Sequence, residues 1–250
     1  MKEKTTQNNT DAQRQFDNFD EFAEEYRETH NKAIKISGTD SNYFSEYKVV
    51  EVKKIEQNSN INLLDFGCGD GNSCIYFRKH FEGMTINGID ISEESIKKAE
   101  EKNIPNATFK PFNGTEIPHP DNTFDVVFTS MVFHHIEHRL HAEILKEIHR
   151  VLVPGGRFYI FEHNPNNPMT RKIVNECVFD KDAILLKPAY CKDIINNTGF
   201  KNTNINFTIF FPRHRFLRWA TGLEPMLTWL PIGAQYIKVS ASRTVKNIDL

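Results

Sequence analysis

The chain has 250 residues, 39% of them apolar and 26% charged, with a formal net charge of −2. That is the composition of a soluble globular chain, and it argues against intrinsic disorder and against a bulk affinity for nucleic acid. Its four cysteines, Cys68, Cys74, Cys177 and Cys191, form no CxxC pair and do not suggest a disulfide scaffold, so a cytoplasmic setting is expected. No stretch approaches the roughly 20 apolar residues that span a bilayer, and the polar start MKEKTTQNNTDAQRQ has no apolar h-region of a secretory signal.

In chain order, residues 1–14 read as a disordered polar tail. Phe19, Phe22, Ala23 and Tyr26 recur at helical spacing and predict a helix over Phe16–Ile36. A second helix is expected from Ser41, as its cap, to about Ile55. Together these make residues 15–58 an N-terminal helical lid ahead of a main domain, 59–250. From there the pattern alternates. INLLDF (61–66) reads as a strand, NSCIYFRKHF (72–81) as a helix and MTINGID (84–90) as a strand. ISEESIKKAEEKN (91–103) is a helix capped by Ser92, and ATFKPF (107–112) and TFDVVFTS (123–130) are strands. HRLHAEILKEIHRVL (138–152) is a helix stopped by Pro154-Gly155-Gly156, and GRFYIFEH (156–163) is the fifth strand. A short helix lies in 187–200, and NTNINFTIFF (202–211) and AQYIKVSAS (234–242) form a closing pair of strands. Strand alternating with helix predicts an α/β fold with a mostly parallel sheet. Ligands in such sheets sit at the carboxyl ends of the strands.

The first such end carries LLDFGCGDGN (63–72), where Gly67, Gly69 and Gly71 stand between a strand and a helix. Glycine there permits positive φ and lets backbone approach a ligand closely. Asp90 closes the second strand and is placed to accept hydrogen bonds from both hydroxyls of a ribose. An adenosine-containing cofactor follows. A dinucleotide fold would want G-x-G-x-x-G to seat a pyrophosphate, but the third position is Asn72. The observed G-x-G-x-G, preceded by Asp65, resembles motif I of the class I S-adenosylmethionine (SAM)-dependent methyltransferases, in their type 11-like, small-molecule branch.

The resemblance runs in order from about residue 45 to 200, through GIDIS (88–92), FNGTEIPHPDNTFDVVF (112–128), TSMVFHHI (129–136) and LVPGGRFYIFEH (152–163). It implies a Rossmann-like seven-stranded, mostly parallel sheet flanked by helices, with the last strand antiparallel. It implies SAM as cofactor, held by Asp65, Gly67, Gly69, Gly71, Asp90 on the ribose, Ile91 against the adenine, Asn113, Gly114 and Thr129. Asn113 departs from the family, which usually has an acid there to receive the adenine amino group; an amide oxygen can accept the same bond.

Methyl transfer from a sulfonium needs an aligned acceptor, exclusion of water and often a base. His163, directly after the fifth strand, is the first candidate for that base and His135 the second. Glu162 and His163 alternate along the strand, so one of them should face the pocket. His134, His138 and His141 share a spacing that raises a metal site, but no carboxylate cluster accompanies them and no metal is expected. Tyr26, Tyr43, Phe44 and Tyr47 suit either a lid or simple helix packing. Two insertions, near 164–187 with Arg171 and near 212–233, are candidate acceptor sites. The second, PRHRFLRWATGLEPMLTWLPIG, mixes arginines with aromatic residues and suits a pocket wall or dimer contact ahead of a membrane surface.

The expected function is methyl transfer from SAM to a small organic acceptor, an O-methylation of a hydroxyl. N- or C-methylation, a SAM-binding but non-catalytic relative, and an NAD(P)-dependent oxidoreductase are the alternatives. The expected partner is the small-molecule acceptor, without nucleic acid or stable membrane insertion, for a monomer or homodimer.

Overall fold

A computed structural model describes residues 40–177, 183–211 and 215–242. The tail 1–14 and the helix expected over Phe16–Ile36 lie outside the described residues. Helix α1 (Ser41–Ile55) begins one residue earlier in capping terms than expected: Asp40, not Ser41, is the N-cap, its carboxylate accepting from the Tyr43 N–H. Either side chain satisfies an orphan amide of the first turn. Val49 and Val52 bury the inward stripe of α1, and Lys48 and Glu56 lie on that same side.

The alternating segments then fold as read: β1 (Asn62–Phe66), α2 (Asn72–His80), β2 (Thr85–Asp90), α3 (Glu93–Glu101), β3 (Ala107–Pro111) and β4 (Phe124–Ser130). Ser92 caps α3 by accepting from Ser95 N–H at 3.0 Å. Helix α4 (His138–Val151) passes directly into β5 (Leu152–His163), which starts four residues before the expected Gly156. Leu152 already pairs with Phe124, and the Pro154-Gly155-Gly156 turn is absorbed inside the strand as a shift of register against β4. Helix α5 (Pro168–Glu176) occupies the insertion near 164–187. Its signals are the Asn167 cap, which accepts from Thr170 N–H, and proline at the first helical position. Helix α6 (Pro188–Asn197), β6 (Lys201–Thr208), a 3₁₀ segment (Arg215–Leu223), the short α7 (Glu224–Leu227) and β7 (Gln235–Ala241) complete the chain.

The seven strands lie in the order β3-β2-β1-β4-β5-β7-β6. β7 runs antiparallel to both β5 and β6, and the remaining pairings are parallel. Alternation along β1 sends Leu64 and Phe66 to one face, under α4 and α6, and Leu63 to the other, under α1 and α2. Fully burying side chains such as Leu63 or Phe77 contributes about 1.5–3 kcal/mol each. Strand order reverses between β1 and β4, so the connections leave in opposite directions and open a crevice at the carboxyl ends of these strands.

Candidate active site

The glycine loop fills one side of that crevice. Gly67, Gly69 and Gly71 all take positive φ, at 73°, 51° and 74°. Gly67 is needed for close packing as well, because a Cβ there would overlap Val132 Cγ2 on the loop after β4. At Gly69 a Cβ would meet nothing within 4 Å: the backbone is bare and faces open space. Asp90 holds this loop, one carboxylate oxygen accepting from Gly69 N–H at 2.8 Å and the other from Ser92 N–H at 3.0 Å. The residue expected to meet a ribose therefore sits at the end of β2 beside the bare backbone.

Asp65 is buried on the α2 side of β1, where Cys74 Sγ donates to its Oδ2 at 3.3 Å. Burial pushes its carboxyl up to about 7, and the neighbouring Asp90 adds to that, while the Cys74 hydrogen bond and Lys48 oppose it. Lys48 reaches the same place from α1. Its ammonium donates to Ser130 Oγ at 2.7 Å, at the end of β4. Burial lowers its pKa to about 8, with Glu162 and then Asp65 holding it up. Sequence reasoning missed Lys48, whose signal is a lysine on the inward side of α1.

At the ends of β4 and β5, Glu162 is completely buried. Its carboxylate accepts from the Phe133 N–H at 2.9 Å and lies 2.6 Å from His134 Nδ1. The His134 ring packs on both other histidines of this corner, with centroids 4.2 Å from His135 and 5.5 Å from His163. His135 and His163 are half-buried, unlike His134. Of the Glu162 and His163 pair, then, the glutamate turns inward to hold the β4 loop and the histidine lies nearer the surface.

Other sequence candidates fall in different places. Ile91 packs against the core edge. Asn113 is exposed, and its Oδ1 accepts from Thr115 N–H, Thr115 Oγ1 and Glu116 N–H, closing its own turn beside Gly114, which has φ 82°. Thr129 is fully buried, one position short of the strand end, on the core side of β4. His134 and His141 do not act together: His134 faces Glu162, and His141 Nε2 lies 3.0 Å and 2.9 Å from the carbonyls of Phe133 and Ile136. Among the described residues no group of three or more metal-ligating side chains converges.

Arg171 and Lys172 line an open groove of about 440 Å³ with Pro168, Asn175 and Glu176. The insertion before β7 is anchored beside it. Asn164, buried at the end of β5, donates to the carbonyls of Pro231 and Gly233 at 3.1 and 2.8 Å, and Asn167 donates to that of Ile232.

A family model described as a methyltransferase domain matches residues 64–160, from β1 to β5. Over residues 64–160 the chain is similar to the class I SAM-dependent methyltransferases. It is 32% identical over 165 residues to an uncharacterised methyltransferase of Schizosaccharomyces pombe, covering 62% of this chain and 52% of that one. It is 35% identical over 100 residues to the 27-O-demethylrifamycin SV methyltransferase of Amycolatopsis mediterranei, covering 38% and 36%. The chain thus spans about half or less of the length of these curated relatives. In fold it is similar to the phosphoethanolamine N-methyltransferase 2 of Haemonchus contortus in complex with SAM, with a TM-score of 0.63 at 17% identity, covering 90% of this chain and 60% of that one.

The site fits SAM, the cofactor of that family, on the chain's own geometry. The bare face of Gly69 leaves room for a ligand against the backbone, and Asp90 lies beside it. Asp65 and Lys48 place one acidic and one basic group in the same buried corner, as the ammonium and carboxylate of an amino acid require. The cofactor sulfonium, when bound, supplies an electrophilic methyl group.

Proposed function

We propose that this chain moves a methyl group from SAM to a small organic acceptor, and that the accepting atom is a hydroxyl oxygen. The observation that carries the second half is the histidine corner. A hydroxyl is a weak nucleophile and must lose its proton as the new bond forms, which calls for a base near neutral pH. His163 is the first candidate for that base and His135 the second. Both stand half-buried at the carboxyl ends of β5 and β4, against His134. His134 and Glu162 act as positioning residues: the buried carboxylate fixes the His134 ring, and that ring supports the two in front of it.

In this reading Asp90 takes the ribose hydroxyls, Gly67, Gly69 and Gly71 line the methionine end, and Asp65 and Lys48 receive its ammonium and carboxylate. Ile91, Asn113, Gly114 and Thr129 belong to the adenine side by family likeness. Thr129 does so from behind the strand, because its side chain is buried. The three relatives named above are respectively of unstated acceptor, an O-methyltransferase and an N-methyltransferase, so likeness leaves the accepting atom to the site chemistry. Buried thiols at Cys68, Cys74 and Cys191, none in a disulfide, agree with a reducing, cytoplasmic setting.

The test is a methyl-transfer assay with labelled SAM against paired hydroxyl and amine acceptors, run with the wild type and His163→Ala. The reading predicts product from hydroxyl acceptors, with turnover lowered about 10²–10⁴-fold by the substitution and SAM affinity retained. Full turnover by His163→Ala across the pH range would remove it as the base, and transfer to amines alone would remove the hydroxyl.

A further inference from the structure

The face of the sheet that carries the site continues beyond His163. Alternation along β5 puts Phe161 and His163 on one side of the strand and Glu162 on the other. Phe161 packs in one cluster with Val49 and Val52 of α1, as does Ile237, its partner on β7. His163, two residues on, therefore lies on the α1 face. Its partner on β7 is Gln235, and the partner of Gln235 on β6 is Thr208. Directly opposed residues of antiparallel strands point to the same face. His163, Gln235 and Thr208 thus form a row across three neighbouring strands.

Gln235 and Thr208 are both buried, at 7% and 4% exposure. Yet Gln235 Oε1 and Thr208 Oγ1 find no hydrogen-bond partner among the described residues. A buried polar atom left unpaired is destabilising, and such atoms are uncommon. Here two stand on adjacent strands, in one row with the candidate base. Packing does not call for them, since valine and leucine would fill similar space without the penalty. Polar groups kept against stability beside a reaction centre are those that a ligand completes.

The strand order indicates the ligand. On the same face, Asp65 of β1 meets Cys74 of α2, and Ser130 of β4 takes the Lys48 ammonium. The sheet then runs through β5, β7 and β6. The proposed cofactor corner lies on one side of His163, and the unpaired amide and hydroxyl lie on the other. A molecule methylated beside His163 therefore extends over β7 toward β6. Neighbouring strands are about 4.8 Å apart, a span that two separated hydroxyls of one sugar or cyclitol ring can bridge. A hydroxyl both donates and accepts. Its O–H can donate to Gln235 Oε1 while its oxygen accepts from Thr208 Oγ1, which satisfies both atoms at once.

We propose that Gln235 and Thr208 are specificity-determining residues that bind a second hydroxyl of the methyl acceptor, so that the acceptor is a polyhydroxylated ring compound. Both atoms are closed to solvent in this structure, so the ring enters as the cover over the row opens. The inference rests on the reading of His163 as the base at a hydroxyl acceptor, and deepens it.

The experiment measures labelled methyl transfer from SAM to cyclohexanol, a cyclohexanediol, myo-inositol and methyl glucoside. It uses the full chain and its Thr208→Val, Gln235→Leu and His163→Ala variants, with S-adenosylhomocysteine affinity verifying that each is folded. The polyhydroxylated acceptors should exceed cyclohexanol in kcat/KM by about tenfold or more. Thr208→Val and Gln235→Leu should erase that preference, acting on KM far more than on kcat, whereas His163→Ala should act on kcat. Without acceptor, Thr208→Val should melt at or above the wild-type temperature, because it removes an unpaired polar atom. A clear fall in Tm would mean that the hydroxyl is already satisfied within the fold, and would overturn the proposal. So would cyclohexanol used as well as the polyols, or variants that keep the wild-type preference, which would leave the pair to a trapped water. Ligand-observed NMR of the same polyols, with the chain saturated by S-adenosylhomocysteine, separates this inference from the methyl-transfer reading. Polyol binding that the two variants abolish, without transfer, would keep the subsite and remove the methylated hydroxyl. Neither binding nor transfer would overturn the subsite as well.

Discussion

Asp65 holds its proton far above the ordinary carboxylate value of 3.8, up to about 7, because it is buried beside Asp90. The folded chain therefore keeps a proton that the unfolded chain releases, and the stability this residue contributes falls as pH rises from about 4 to about 7. Asp65→Asn should flatten that slope, which denaturant midpoints at about pH 5 and about pH 8 would show; an unchanged slope would mean that Asp65 titrates normally. Asp90 carries a different expectation. It anchors Gly69 and is the proposed ribose acceptor, so Asp90→Ala should weaken SAM binding by about 1–3 kcal/mol, read by titration. The glycines and Asp90 were legible because their pattern is local: a strand end, a tight loop, a second strand end. Lys48 and the Glu162–His134 pair were not. The first sits on a helix before the motif, and the two partners of the second are 28 positions apart, so only the fold makes them neighbours.

The glycine loop works as an element because it is pinned at both ends. Asp90 ties down Gly69, and the close approach of Gly67 to Val132 joins the loop to the segment after β4. Gly67→Ala should lower stability by about 1–3 kcal/mol, from the unfavourable φ and the contact with Val132. It should also weaken SAM binding by displacing the loop. A thermal melt and a titration on the same sample check both, and wild-type values in each would show that the loop tolerates the added carbon. Legibility varied here with the kind of signal. α3 announced itself through the Ser92 cap and an amphipathic run. α5 carried an equally good start, Asn167 followed by Pro168, but the asparagines and prolines around it imitate a loop. Pro154-Gly155-Gly156 is a strong turn signal that predicts a later start for β5, and the strand takes that turn in as an irregularity.

At the scale of the whole molecule, the order β3-β2-β1-β4-β5-β7-β6 brings the main candidate site residues toward one end of the sheet. Asp65 and Asp90 arrive from β1 and β2, Ser130 and the histidine loop from β4, Glu162 and His163 from β5, and Lys48 from α1 across the top. The alternating pattern predicted this architecture because each βαβ unit writes its own period into the sequence. The antiparallel place of β7 came from the family likeness, since a pair of closing strands does not state its own direction. The central claim is that this crevice takes SAM rather than a dinucleotide. Calorimetric titration with SAM, S-adenosylhomocysteine and NADH in parallel tests it most directly. The account predicts saturable binding of the first two and none of the third; binding of NADH alone would contradict it.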